Sequence, residues 1–372
     1  MKYYIIAGEA SGDLHGSNLI KALHKEDAQA EIRCWGGDLM EAAGATLVSH
    51  YKERAFMGFG EVLGNLRKIL GFISECKKDI EKFSPDALVF IDNSGFNLRI
   101  AKWAKPKGYT THYYISPQVW ASRASRVKTI KATIDHMYVI LPFVKPFYAK
   151  YGYEAHFVGH PLLDAIATRT ITIPREFKST YGLDDKPIIA LLPGSRKQEI
   201  TKMLGIMGSI VHDFPDYQFV IAGAPSQDRA FYDPYVKDNK RVHLIMNKAY
   251  DILSMSTAAL VTSGTATLET ALFKVPQVVC YKAGSFSYQI AKRIIKLKYI
   301  SLVNLIMDRE VVKELIQNDF TATNLKRELT LILSTEKRNH LFEEYYALER
   351  KLGGKGASKN TAKRIVEATK TT

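Results

Sequence analysis

The stretch Pro187-Ile188-Ile189-Ala190-Leu191-Leu192-Pro193-Gly194-Ser195-Arg196, continued to Val211, decides the fold. Its first six residues are apolar without a break and of strand length, the pattern of a strand buried on both faces of a parallel sheet. Pro193-Gly194-Ser195-Arg196 interrupts the run, and Ile200, Met203, Leu204, Met207 and Val211 then recur at helical spacing. A buried strand, a tight turn and a helix start place backbone N–H groups and one guanidinium at the carboxyl edge of a sheet. A phosphate suits that arrangement; so does an ordinary strand-to-helix turn with a solvated arginine.

The same strand–loop–helix unit recurs on both sides of this stretch. Residues 3–7 read as a strand leading into Gly8-Glu9-Ala10-Ser11-Gly12-Asp13, with Leu19, Ile20 and Leu23 marking the helix beyond. These glycines fit neither the dinucleotide fingerprint nor the P-loop, though they permit close backbone approach to a ligand. Residues 85–92 form another buried strand, and Asp92 stands at its carboxyl end, where open α/β sheets bind ligands. Asp92 is thus a candidate general base, with capping of the following helix as its alternative role. Ser116-Pro117-Gln118-Val119-Trp120-Ala121 precedes a basic stretch with Arg123, Arg126, Lys128 and Lys131, which could meet a sugar and a phosphate or simply pack and solvate.

In the second half, residues 258–262 open into Ser263-Gly264-Thr265-Ala266-Thr267-Leu268-Glu269. Small hydroxyl residues and a glycine at a helix start again offer unpaired N–H groups to an anion. Glu269 could bond a ribose hydroxyl or complement the helix dipole. Residues 310–316, 325–333, 338–352 and 360–368 read as helices, and Gly353-Gly354-Lys355-Gly356 breaks the run between the last two. The polar stretch 167–186 reads as the interdomain linker. The domains are therefore expected at 1–170 and 171–340, with C-terminal helices over 341–372 packing back on the first domain or exchanging between subunits.

Composition bounds the function classes. A chain of 372 residues, 46% hydrophobic and 24% charged, suits two globular domains. No apolar run approaches the roughly 20 residues of a membrane-spanning helix, and the first residues enter a strand with no signal-peptide pattern. Cys34, Cys76 and Cys280 are scattered, which argues for a reducing compartment and against a zinc site or disulfide frame. The net charge of +14 favours anionic partners: nucleic acid, phospholipid or phosphorylated substrate. No finger spacing, RNP-like signature or arginine-rich arm supports nucleic acid. No Asp-x-Asp motif flanked by apolar residues is present to hold a metal on a diphosphate, so helix starts and cations would have to stabilise one.

Residues 56–73 (FMGFGEVLGNLRKILGFI) put Phe59, Val62, Leu63, Leu66, Ile69, Leu70 and Ile73 on one helical face, with Arg67 and Lys68 beside them. That face suits either a core helix or an interfacial, acyl-binding segment.

GEASGD (8–13), SPQVWA (116–121), LLPGSR (191–196), SGTATLE (263–269) and YISLVNLI (299–306) occur in that order. Together they resemble the lipid-A-disaccharide synthase family of Gram-negative bacteria, from the first strand to about residue 320. The resemblance implies the GT-B fold, an α/β architecture of two Rossmann-like domains facing across a cleft. It also implies an inverting glycosyl transfer from UDP-2,3-diacylglucosamine to 2,3-diacylglucosamine 1-phosphate, giving a β(1→6) disaccharide 1-phosphate and UDP. Asp92 then becomes the base for the acceptor hydroxyl. Gly194, Ser195, Arg196, Ser263, Gly264, Thr265, Glu269 and Asn304 fall on the UDP-sugar side, and Glu9, Ser11, Gly12, Ser116 and Trp120 on the acceptor side. Phe59, Val62, Leu63, Leu66, Arg67, Lys68, Ile69 and Leu70 fall in a region of membrane or acyl contact. The implied protein needs no metal or other cofactor, binds an anionic membrane surface peripherally at the cytoplasmic face of the inner membrane, does not bind nucleic acid, and can form a homodimer. Two positions depart from the family pattern: Asn93-Ser94-Gly95 replaces Ala-Pro-Asp of many members, and Val144 replaces a glutamate. A UDP-sugar epimerase of the same fold and a non-catalytic basic binding protein for membranes or nucleic acid are the rival readings.

Overall fold

The computed structural model describes residues 1–54, 66–122, 124–237, 239–283 and 298–371. They divide into two compact units, Met1–Arg169 with Leu352–Thr372, and Thr170–Lys351. The first unit carries a seven-stranded parallel sheet: β1 (Lys2–Ala7), β2 (Glu31–Gly36), β3 (Thr46–His50), β4 (Ala87–Ile91), β5 (Thr110–Tyr114), β6 (His136–Val139) and β7 (Ala155–Phe157). Their spatial order is β3-β2-β1-β4-β5-β6-β7. The second unit has β8 (Ile188–Leu192), β9 (Gln218–Gly223), β10 (Val242–Met246), β11 (Ser256–Thr262), β12 (Gln277–Tyr281) and β13 (Lys313–Ile316). That sheet is also parallel, in the order β10-β9-β8-β11-β12-β13.

Both sheets are doubly wound, which explains why β4 (ALVFI) and β8 (IIALL) are apolar and buried at every residue. In each sheet the strand order reverses next to its first strand, between β1 and β4 and between β8 and β11. A crevice opens at the carboxyl ends of such strands, the usual ligand position in this architecture.

Three expectations are corrected. Residues 310–316 are not a helix: Lys313–Ile316 forms the edge strand β13, paired with β12 through Val278–Lys313 and Tyr281–Ile316. Pairing with a buried strand outweighs the weak helical preference of a stretch containing Val311 and Val312. The presumed linker 167–186 contains the helix Pro174–Tyr181, capped by Gly182, so the units part at Arg169 and Thr170. The apolar face expected across residues 59–73 is also divided. In the helix Leu66–Phe83, Ile69, Ile73, Cys76, Ile80 and Phe83 are buried, whereas Leu70 is 57% exposed and Arg67 and Lys68 face solvent. Neighbouring residues on a helix point about 100° apart, so packing Ile69 turns Leu70 outward. Phe59, Val62, Leu63 and the Leu66 side chain lie outside the described residues.

The expected C-terminal segment 341–372 splits between the units. The helix Thr335–Lys351 belongs to the second unit, while Ala357–Lys370 packs on the helix Ala10–Glu26 of the first. Ala362, Ile365 and Val366 join an apolar cluster with Ile5, Leu19, Leu23 and Val89. The return is pinned by hydrogen bonds. Leu352 O accepts from His160 N at 3.1 Å, and the Asp164 carboxylate accepts from Gly356 N at 2.6 Å and Ser358 N at 3.1 Å. Gly353, at φ +86°, passes so close that a Cβ there would stand 3.2 Å from the Gly159 Cα. Among the described residues no helix is long and apolar enough to cross a membrane.

Candidate active site

In the first unit, β1 and β4 pair in a register that sets Ala7 beside Ile91, so the loops that follow leave the sheet side by side. Their approach is close: a Cβ on Gly8 would lie 2.0 Å from Asn93 Nδ2. Asp92 and Asn93 both take left-handed backbone, at φ +46° and +40°. That region costs most residues about 1–2 kcal/mol, less for Asp and Asn, whose short polar side chains tolerate it. Here it is held from several sides. Asp92 N donates to Tyr114 O at 3.2 Å, and Asp92 O accepts from Asn97 Nδ2 at 2.8 Å and from the Tyr113 hydroxyl. Asn97, wholly buried, also donates to Ile91 O at 3.1 Å. Strain over-determined in this way is typical of functional loops.

These bonds engage the main chain of Asp92, not its carboxyl. Burial pushes that carboxyl up to about 6, the nearby Glu9 carboxylate adds to the rise, and the Asn93 backbone N–H pulls weakly the other way. The following helix, Ser94–Ala104, takes its cap position from Asn93 and receives no side-chain capping bond, so Asp92 does not serve as its cap. A carboxylate of this kind can accept a proton near neutral pH.

The GEASGD loop divides in role. Glu9 and Ser11 are exposed at the edge and Gly12 is buried under it. Asp13 is 3% exposed and accepts from the backbone N–H groups of Gly37, Leu39 and Met40 at 2.9, 3.1 and 3.0 Å. It ties the start of the helix Ala10–Glu26 to the turn after β2, a structural use. Ser116 is buried against the Tyr148 hydroxyl, and Trp120 stands edge-on to Phe143 at 4.8 Å. Val144, the second departure, is buried at the start of a short helix.

In the second unit, β8 ends at Leu192 before Pro193, Gly194 turns at φ +107°, and Arg196 stands in extended backbone at the cap of the helix Lys197–Ser209. Ser195 O accepts from Ser226 Oγ at 2.6 Å, which fixes the turn, while the Arg196 side chain is exposed. Arg196 lines a cavity of about 320 Å³ with Lys197, Glu199, Lys202, Tyr281 and Lys282. At the end of β11, Ser263 Oγ donates to Ile300 O at 2.8 Å, and Gly264 (φ +148°) leads into the helix Thr265–Leu272. Glu269 accepts from the Tyr250 hydroxyl at 2.9 Å, and burial raises its carboxyl above the ordinary glutamate value.

Asn304 is wholly buried and its amide is saturated. Nδ2 donates to Val312 O and Glu314 Oε1 at 2.8 and 2.9 Å, and Oδ1 accepts from Val311 N and Val312 N at 2.8 and 3.0 Å. Glu314 in turn accepts from Ile300 N and Ser301 N. Asn304 therefore fixes the loop beside Ser263, and its side chain has no capacity left for a ligand without breaking these bonds. Sequence reasoning singled out neither the two straps of Asp92, Asn97 and Tyr113, nor Lys202 and Lys282. Nothing in their local pattern distinguishes them.

A family model described as lipid-A-disaccharide synthetase matches residues 3–368. The chain is 38% identical over 366 residues to the lipid-A-disaccharide synthase of Syntrophus aciditrophicus, covering 96% of this chain and 95% of that protein. It is 37% identical over 372 residues to that of Coxiella burnetii, covering 97% and 96%. Among solved structures it resembles a UDP-GlcNAc 2-epimerase from Neisseria meningitidis, bound to UDP-GlcNAc, with TM-score 0.68, 14% identity and full coverage of both chains. It also resembles the kitacinnamycin glycotransferase, with TM-score 0.66, 13% identity and coverage of 99% and 98%. At those identities the likeness concerns the fold alone, which both epimerases and glycosyltransferases adopt.

Proposed function

The chain belongs to the lipid-A-disaccharide synthase family, a glycosyltransferase family of lipid A biosynthesis, and from that premise we propose that Asp92 is the base of its transfer reaction. The donor is UDP-2,3-diacylglucosamine and the acceptor 2,3-diacylglucosamine 1-phosphate. Asp92 takes the proton of the acceptor 6-hydroxyl as that oxygen attacks the anomeric carbon, and the bond to UDP breaks with inversion. Arg196 and the N–H groups after Gly194 and Gly264 stabilise the charge on departing UDP, with no metal required. The observation that carries the reading is the Asp92 carboxyl: half-buried, raised to about 6 chiefly by desolvation, and not used by the bonds that hold its main chain. Glu9, Ser11 and Gly12 lie at the adjoining loop as acceptor-side contacts, with Ser116 and Trp120 after the neighbouring strand. Glu269 serves the donor through the Tyr250 pair, and Asn304 serves it by shaping the loop.

UDP release by the full chain is the direct test, with both substrates, with donor alone, and in EDTA. Release that needs the acceptor and survives chelation is expected. Release from the donor alone would point to hydrolysis, and loss in EDTA would remove the metal-free scheme.

A pH dependence follows. Asp92 must be ionised to act, so kcat/KM is expected to fall below an apparent pKa of about 6. Glu9→Gln removes a neighbouring negative charge, eases ionisation of Asp92, and should move the acid limb to lower pH. An unmoved limb would mean that Glu9 does not tune the base.

We also propose peripheral attachment to anionic membranes through the start of the helix Leu66–Phe83, where Arg67, Lys68 and Leu70 are exposed. Both substrates carry acyl chains, so a surface site suits them. Replacing Leu63, Leu66 and Leu70 by Ser, while sparing the buried Ile69, should release the protein from anionic vesicles in sedimentation. Unchanged sedimentation would count against this surface.

A further inference from the structure

The cavity beside Arg196 holds more positive charge than one arginine's role explains. Arg196, Lys197, Lys202 and Lys282 line it, and among the described residues that line it Glu199 is the one carboxylate. Elsewhere in this unit partly buried lysines find acids: Lys274 meets Glu349, and Lys178 meets Asp185. Lys197 is partly engaged, its Nζ 5.6 Å from the centre of the Phe231 ring. Lys202 and Lys282 are half-buried, and neither makes a hydrogen bond or ion pair with the described residues. Glu199 leans instead over the tight turn, its Oε2 2.7 Å from where a Gly194 Cβ would stand. Unpaired like charges gathered in a concave site repel one another, and a multiply charged anion relieves that repulsion.

The cations also come from separate places. Lys202 starts about 9 Å further along its helix than Arg196, counting six residues at 1.5 Å each. Lys282 follows β12, two strands from β8. A single phosphate can be held by the planar fork of Arg196 alone. A chain of two phosphate groups reaches further and can engage point charges from both directions.

We propose that Lys202 and Lys282 are the residues that make this site select a nucleoside diphosphate over a monophosphate, a role resting on the UDP-sugar reading above. Their charges act on the second phosphate group, while Arg196 serves either ligand. They raise affinity for a UDP-bearing donor and, by the same contacts, for released UDP.

Calorimetric titration of the full chain with UDP and with UMP, at low and high salt, tests this. The native protein should prefer UDP and show the steeper salt dependence with it. Lys202→Met and Lys282→Met should each weaken UDP on the order of tenfold, the worth of one charged contact, and leave UMP unchanged. Lys282→Arg should restore the preference, which a purely structural role would not require. Should a Met variant fail to fold, Lys202→Gln and Lys282→Gln provide the same neutralisation with a polar side chain. An unaltered UDP-to-UMP ratio in the folded double variant overturns the proposal while leaving the donor assignment standing. No binding of UDP by the native protein would instead overturn the donor assignment and this role with it.

Discussion

Asp92→Asn is expected to fold as the native chain does and to turn over on the order of 10²–10⁴ more slowly, the range for loss of a general base. The amide preserves shape, and Asn tolerates the φ of +46° that this position imposes. What it lacks is a basic oxygen for the acceptor proton. The variant should also be the more heat-stable protein above about pH 6. The sign follows from the raised carboxyl: the folded state holds the Asp92 proton up to about pH 6, against 3.8 for an unperturbed aspartate. Its favourable contribution is full below 3.8 and lost as pH rises through 6, so native Asp92 is a partly desolvated, destabilising charge at neutral pH. Asn carries no such charge. Lost turnover with a raised melting temperature is the pairing of activity against stability common at active sites. Near-native turnover in a folded Asn variant would remove Asp92 from the mechanism.

Arg196→Ala should lower kcat on the order of 10²–10³, with a change in stability within about 0.5 kcal/mol, as for other exposed side chains. The side chain is exposed, and its backbone, not its guanidinium, holds the cap of the helix Lys197–Ser209. Arg196→Lys should recover only part of the loss, since an ammonium lacks the planar fork that grips two phosphate oxygens. Circular dichroism and steady-state kinetics on the same preparations separate the two effects. Native kcat in the Ala variant would assign the leaving-group charge to other residues.

The strands that frame both candidate loops were legible because burial on two faces leaves uninterrupted apolar runs, as in β4 and β8. The loops were legible because close approach demands glycine, as at Gly8 against Asn93. What failed was whatever depends on which partners the folded chain brings together. β13 is a four-residue edge strand whose identity comes from β12. Ile69 and Leu70 look alike in a list of apolar residues, and only packing separates them. Asn304 lies in a readable motif, yet its amide is consumed by Val311, Val312 and Glu314, which no spacing announces. Asp13, likewise, belongs to the most specific loop motif and does structural service.

The return of the helix Ala357–Lys370 to the first unit has a consequence for biosynthesis. Ala362, Ile365 and Val366 complete the same apolar cluster as Ile5 and Leu19, yet the ribosome makes them after every residue of Thr170–Lys351. At roughly 5–20 residues per second, the first unit waits on the order of ten seconds or longer with part of the apolar cluster around Leu19 and Leu23 uncovered. The second unit is continuous in sequence and can close as soon as it emerges. Maturation therefore runs against the usual N-to-C order, and the nascent chain offers a chaperone an apolar surface that the last helix later occupies.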